Sequence, residues 1–97
     1  MLIDKGFTQG AVVSIKIIGG EEVIARFEKE SDTELVISKP LAITFNAQGL
    51  GLIPWIFLGE DKQQDIKIRQ SAIVTVCKPK DDAAQQYMQS TTDIKLV

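Results

Sequence analysis

The sequence predicts a mainly β domain, a small and strongly bent five-stranded barrel followed by a C-terminal helix. Three observations predict this class: apolar and polar residues alternate along several short segments, glycines and prolines interrupt those segments, and helical spacing is confined to the last quarter of the chain. A chain of 97 residues has room for one hydrophobic core. We therefore expect one domain over residues 1–97, with the barrel over about 11–78 and the helix over about 80–91.

The first two strands have the most regular pattern. Val13, Ile15 and Ile17 lie on one face of a predicted strand, with polar neighbours on the other face. Gly19 and Gly20 follow, and glycine accepts the positive φ angles that a tight hairpin turn requires. The segment EEVIARFEKE then alternates again. These features predict an antiparallel hairpin.

Two proline-containing segments predict the next strands. LVISKPLAITF is typical of a long third strand, in which Pro40 cannot donate a ladder hydrogen bond and so indicates a bulge, a bend or an edge. Gly49 and Gly51 indicate a reversal, after which LIPWIFL predicts a fourth strand.

The fifth predicted strand changes phase along its length. In IKIRQSAIVTVCK, Ile66 and Ile68 share one face, whereas Ile73 falls on the other. A break near Gln70-Ser71 would return Ile73 to the inward face. We therefore expect an irregularity at that dipeptide.

The C-terminal segment PKDDAAQQYMQSTT predicts the helix. Asp81 or Asp82 is the expected N-cap, because a short carboxylate side chain can accept the free N–H groups of the first turn. Apolar and small residues then recur at helical spacing: Ala84, Tyr87, Met88 and Thr91. We expect Tyr87 and Met88 to form the face that packs on the barrel.

The composition excludes several kinds of site. The chain has no histidine and one cysteine, Cys77, so Ser-His-Asp and Cys-His catalytic sets and histidine-containing zinc sites are excluded. We therefore expect no enzyme activity, no metal and no cofactor. The net charge is −2, and no segment is basic enough to form an electrostatic site for nucleic acid. No stretch is apolar and long enough for a signal peptide or a membrane span, so we expect a cytoplasmic protein without a membrane partner.

Two segments resemble motifs of the Sm-like family, the RNA-binding ring proteins that include the Hfq type. The hairpin that turns at Gly19-Gly20 and carries Phe27-Glu28 resembles the first motif. IKIRQSAIVTV resembles the second motif, and its Hfq-type form is matched by Ala72, Ile73, Thr75 and Val76. The resemblance covers about residues 11–39 and 64–77. The whole chain also resembles short uncharacterised proteins of marine tailed phages that infect cyanobacteria, which implies a phage-infected bacterial host.

The resemblance implies a function as well as a fold. It implies a non-catalytic homo-oligomeric ring of about five to seven subunits that binds single-stranded RNA or supports RNA processing. The expected RNA-binding residues are Lys29, Ser31, Thr33, Arg69, Gln70 and Ser71. Lys39 and Lys67 are further candidates for phosphate contacts. The chain departs from the family in its acidic turn EKESDTE, which lacks the Asp-x-x-Met-Asn pattern, and at Gln70 and Ser71, which replace a Lys-His pair.

Alternatives stay open for two features. The apolar segment NAQGLGLIPWIFLGED is interpreted as core, as a subunit interface or as a ligand pocket, and the interface is favoured because large apolar residues occupy both faces of the strand. The predicted interface residues are Leu52, Ile53, Trp55, Phe57, Ile73 and Val74. Arg69 is either a base contact or a solvated charge at a strand end. The alternative function is a structural or assembly protein of a phage with no nucleic-acid ligand, which the net negative charge and the acidic turn favour.

Overall fold

The computed structural model describes residues 6–56, 59 and 65–92. The predicted class, mainly β with a C-terminal helix, is confirmed. Within this part of the chain, no helix is long and apolar enough to cross a membrane. The elements are β1 (Val12–Ile17), β2 (Glu22–Glu30), β3 (Glu34–Asn46), β4 (Gly49–Pro54), β5 (Ile66–Arg69), a 3-10 turn (Gln70–Ala72), β6 (Ile73–Cys77) and α1 (Asp81–Thr91).

All six strands belong to one antiparallel sheet. Its main path is β4-β3-β2-β1-β6, and β5 also pairs with β3. β5 pairs with residues 34–37 and β4 with residues 41–46, so these two strands follow one another along the side of β3 that faces away from β2. The two strands thus form one interrupted edge of the sheet.

The sheet has six strands and stays open, which differs from the predicted five-stranded barrel. Closure requires the first and last strands of a sheet to pair with each other. β5 and β6 have four and five residues and continue one another through the 3-10 turn. Among the described strands, no ladder joins β5 to β6. Their separate edges remain at the two ends of the sheet.

The β1–β2 hairpin is confirmed, with a loop one residue longer than a two-residue turn. Gly19 and Gly20 both adopt positive φ, at 106° and 100°. The Ile17 N–H donates to the Glu21 carbonyl at 2.8 Å, so residues 18–20 form the loop. Glycine at both positions lets the chain reverse without the steric cost that a Cβ would add.

β3 has a bulge at Pro40, where the sequence predicted a bulge, a bend or an edge. Leu41 pairs with Ile24 and Ser38 with Arg26, so β3 carries one more residue than β2 over this stretch. Lys39 takes up the difference with a left-handed φ of 51°. Pro40 is buried beside it. The predicted break near Gln70-Ser71 is confirmed as well, in the form of the 3-10 turn.

The fourth strand starts and ends earlier than predicted. β4 covers Gly49–Pro54, whereas the apolar pattern favoured a strand from Leu52 onward. The glycines that indicated a reversal pair with the end of β3 instead, because the turn is made by the two residues between Asn46 and Gly49. Phe57, a predicted interface residue, lies outside the described residues.

The main hydrophobic cluster lies on one face of the sheet, where alternate residues of four strands meet. Phe7 also packs there, with its ring centroid 5.9 Å from that of Phe27. Each strand contributes every second side chain, as half-buried strands do. The buried core residues are Val13, Ile15, Val23, Ala25, Phe27, Leu35, Ile37 and Ile68.

α1 packs through a single buried side chain. Tyr87 is fully buried, as predicted, but Met88 is 44% exposed, and the prediction that it packs on the sheet is wrong. Successive helical residues point about 100° apart, so both cannot face the sheet equally. The predicted aspartate N-cap is also wrong. Lys80 is the N-cap residue, and Asp81 and Asp82 lie in the first turn, where their charges complement the helix dipole.

Candidate functional site

Two distant segments meet at one end of the sheet, and we call residues 29–34 together with residues 69–71 the turn cluster. The pairing of β3 with β5 places Arg69 opposite Glu34. The Gln70 backbone N–H donates to the Thr33 carbonyl at 2.9 Å, which ties the 3-10 turn to the β2–β3 turn. All six predicted RNA-binding residues, Lys29, Ser31, Thr33, Arg69, Gln70 and Ser71, therefore belong to one local structure.

The Gln70 side chain holds the turn cluster together. Its Nε2 donates to a Glu30 carboxylate oxygen at 3.1 Å and to the Ser31 carbonyl at 3.0 Å. Both donors of the amide nitrogen therefore have protein partners. Gln70 is half-buried, and it positions the turn rather than presenting a free amide to a ligand.

Ser31 shapes the β2–β3 turn. Its Oγ accepts the backbone N–H groups of Thr33 at 3.3 Å and Glu34 at 3.2 Å, and its own N–H donates to the Glu34 carbonyl at 2.8 Å. Serine commonly satisfies turn backbone in this way. The Ser31 hydroxyl is therefore already engaged, and Thr33 Oγ1 lies 3.5 Å from it. The Ser71 and Thr33 side chains are exposed.

The charges of the turn cluster are mixed. Lys29 and Arg69 are exposed cations, and three acidic residues of the same turns stand near them: Glu30, Asp32 and Glu34. Arg69 lies at the end of β5, and Lys67, two residues before it, is exposed on the same side of the strand. The local sum of two positive and three negative charges disfavours a pure phosphate site. It allows contacts to bases, which carry no charge.

Lys39 lies elsewhere, at the β3 bulge. There the Glu28 carboxylate accepts hydrogen bonds from Ser38 Oγ at 2.7 Å and from Gln9 Nε2 at 3.0 Å. These hydrogen bonds lower the pKa of Glu28, and the nearby charges of Lys39 and Arg26 contribute in the same direction. Lys39 is thus separate from the turn cluster and belongs to the polar network of the bulge.

Two strands at the ends of the sheet, β4 and β6, contain no charged residue. Residues 41–59, which include β4, contain no Asp, Glu, Lys or Arg, and neither do residues 70–77, which include β6. Edge strands usually carry charges that prevent pairing with other chains. β4 and β6 lack this protection, whereas β5, which forms the rest of the first edge, carries the exposed cations Lys67 and Arg69.

The predicted interface residues divide into two groups. Trp55 and Ile73 are half-buried and pack against the core of their own chain. Ile53 and Val74 are 40% and 62% exposed, and they lie on β4 and β6 respectively. Leu52 is half-buried on β4. The exposed part of this set therefore lies on the uncharged strands β4 and β6.

A cavity of about 460 Å³ lies between the N-terminal segment and the start of α1, and its lining contains no residue of the segment 46–61. Its walls include Phe7, Val12 and Ala84. In the described part of the chain, no three His, Cys, Asp or Glu side chains are placed to hold a metal ion.

Three contacts could not be found from the sequence. They join the Tyr87 hydroxyl to the Lys39 carbonyl, the Gln86 amide to the Leu50 carbonyl, and the Gln70 amide to the β2–β3 turn. Each joins residues at least 36 positions apart, so no local pattern signals them. The exposure of Phe45 on β3, which is 77%, was not predicted either, because the apolar pattern of its strand favours burial.

Comparison with known proteins adds no relative to this description. No family model matches the sequence, and no curated protein matches it. The features that bear on function are the turn cluster and the uncharged strands β4 and β6.

Proposed function

We propose that this chain is a non-catalytic Sm-like protein whose copies associate head to tail into a ring, and that the ring binds single-stranded RNA at the turn cluster. The observation that carries the proposal is the convergence of the β2–β3 turn with the 3-10 turn, held by the Gln70 hydrogen bonds. It brings Arg69 beside the exposed polar groups of Thr33 and Ser71.

The sheet edges support the head-to-tail association. β6 of one copy adds to the edge formed by β4 and β5 of the next, so each copy uses two different surfaces. A heterologous contact of this kind produces a ring when its rotation closes. The exposed apolar residues Ile53 and Val74 would be covered in the contact.

Repetition around the ring compensates for the weakness of one cluster. A single cluster offers two cations and has three acidic neighbours, so its own affinity for RNA is low. Identical clusters in a ring bind successive nucleotides of one strand at a high effective concentration. Arg69 contacts bases by stacking or hydrogen bonding, and Lys29 and Lys67 contact phosphates.

Light scattering coupled to size exclusion tests the association. We expect the wild-type chain to have the mass of a ring of several subunits over a dilution series. The Val74→Lys variant places a charge on the exposed face of β6, and we expect it to shift the mass toward the monomer. Gln85→Lys adds the same charge at an exposed site on α1 and serves as the matched control. A monomeric wild type would refute the ring.

Fluorescence anisotropy with a labelled 12-nucleotide uridine RNA tests the binding site. We expect Arg69→Ala to weaken binding at least roughly tenfold, because it removes a charged hydrogen-bond donor from every subunit. Lys16→Ala removes the same charge from an exposed position on β1 and should change binding little. Equal affinities for wild type and Arg69→Ala would remove Arg69 from the site.

A second function, that of a structural or assembly protein of a phage with no nucleic-acid ligand, is favoured by one observation. The turn cluster holds three carboxylates, and its Gln70 amide is committed to protein partners. A stable ring that binds no RNA at low salt would favour this second function over the first. Purification of a tagged chain from infected cells would then be expected to recover virion proteins without RNA.

A further inference from the structure

The outer edge of β4 is in contact with α1. In the β3–β4 hairpin, Asn46 and Gly49 flank a two-residue loop. The pair next to such a loop exchanges both backbone hydrogen bonds, and the following pair, Phe45 and Leu50, exchanges none. The Leu50 carbonyl therefore points away from β3, toward the edge that an added strand would use.

A side chain of α1 donates a hydrogen bond to that carbonyl. The Gln86 Nε2 donates to the Leu50 carbonyl oxygen at 3.2 Å. The next residue, Tyr87, is fully buried, and its hydroxyl donates to the Lys39 carbonyl of β3 at 2.7 Å. Tyr87 thus fixes α1, and Gln86 holds a donor where the N–H of an added strand would lie.

The position of this contact limits strand addition. By the same alternation, the outward-facing groups of β4 belong to Leu50, Leu52 and Pro54, and proline has no N–H. The edge therefore presents three carbonyls and two N–H groups. The Gln86 amide occupies one of the three carbonyls. Because β4 has no charged residue of its own, α1 supplies a protection that edge strands usually obtain from charge.

We propose that the hydrogen bond from Gln86 to the Leu50 carbonyl blocks the β4 edge. A second copy then adds its β6 fully only after the Gln86 amide releases that carbonyl. This inference rests on the proposed head-to-tail association. α1 then weakens association in the free chain and limits pairing with wrong partners. The second copy is the occupant because its β6 is the other uncharged end of the same sheet.

Two variants remove the donor from this contact. Gln86→Ala deletes the amide and keeps the helix, since alanine has the highest helix propensity. Gln86→Met keeps the length of the side chain, has no hydrogen-bond donor and adds no charge to the edge. Gln85→Ala changes the neighbouring exposed residue and is the matched control. The concentration at half-assembly is measured for each by light scattering across a dilution series.

We expect both Gln86 variants to assemble at roughly two- to tenfold lower concentration than wild type, the effect of one competing hydrogen bond. Gln85→Ala should match wild type. Assembly of the Gln86 variants at the wild-type concentration or above it would refute the block by Gln86 but not the proposed ring. An equal shift in Gln85→Ala would overturn it too, since helix propensity would then explain the effect. Failure of wild type and all variants to assemble would refute both the proposed ring and the block by Gln86.

Discussion

Tyr87 connects α1 to the sheet, and the Tyr87→Phe variant tests that connection by removing one hydroxyl. The Tyr87 ring is fully buried and lies 6.0 Å from the Arg26 guanidinium carbon. Its hydroxyl donates to the Lys39 carbonyl at 2.7 Å. Burial raises the pKa of Tyr87 above its ordinary value, so the hydroxyl stays protonated and remains a donor at neutral pH. Phenylalanine keeps the ring and loses only the hydrogen bond.

The size of the effect follows from the full burial of Tyr87 and from the partial burial of its hydrogen bond to the Lys39 carbonyl. A hydrogen bond contributes about 0.5–1.5 kcal/mol net, and a buried group left without its partner costs about 1–3 kcal/mol. We therefore expect Tyr87→Phe to lower the free energy of unfolding by about 1–2 kcal/mol. For a domain of this size the melting temperature then falls by roughly 4–8 °C per kcal/mol. Tyr87→Ala also removes the ring and should cost about 3–5 kcal/mol.

Urea unfolding followed by circular dichroism measures these differences. Met88→Ala is the control, because Met88 is the neighbouring residue and is 44% exposed, so its loss should cost much less than that of Tyr87. A Tyr87→Phe variant as stable as wild type would show that the hydroxyl contributes nothing. A Tyr87→Ala variant no less stable than Tyr87→Phe would refute the packing of α1 on the sheet.

Three other substitutions test the bulge and the turn cluster. Lys39→Gly should raise the free energy of unfolding by about 0.5–1 kcal/mol, because glycine accepts the left-handed φ without strain; a less stable variant in thermal melts would contradict this. Glu28 has a lowered folded pKa, so the unfolded chain binds more protons and stability falls as the pH drops through the unfolded and then the folded pKa of Glu28. Glu28→Gln should flatten that acid dependence in urea titrations at several pH values, and an unchanged slope would exclude Glu28 as a cause. Gln70→Ala should cost about 1–2 kcal/mol and speed amide hydrogen exchange at Thr33 and Glu34, whereas unchanged exchange would show that Gln70 does not hold the turn.

Local patterns predicted the parts of the fold that depend on neighbouring residues. The Gly19-Gly20 turn, the bulge at Pro40 and the break at Gln70-Ser71 are all confirmed. Each follows from a property of the residue itself or from a change in the face on which apolar residues fall. The predicted boundaries of β4 were wrong, because a run of apolar residues does not indicate where pairing with β3 starts and stops.

The residues of the turn cluster were named from the resemblance, but their arrangement was not predicted. The pairing of β3 with β5 is what brings the six candidate residues together. No local pattern indicates that the Gln70 amide points into the β2–β3 turn, because its partners are 39 and 40 residues away. The separation of Lys39 from the cluster depends on the β3 bulge, which places that side chain in the Glu28 network.

The sequence by itself determined the mainly β class, the glycine and proline positions at which strands turn or bend, and the absence of histidine chemistry. These properties are local, since they depend on side-chain alternation and on backbone restrictions at single residues. Tertiary structure decided that β4 and β6 are the uncharged ends of the sheet, that two turns converge, and that Gln86 meets Leu50. Those outcomes depend on which strands pair, and pairing is selected by burial of the whole core rather than by any one segment.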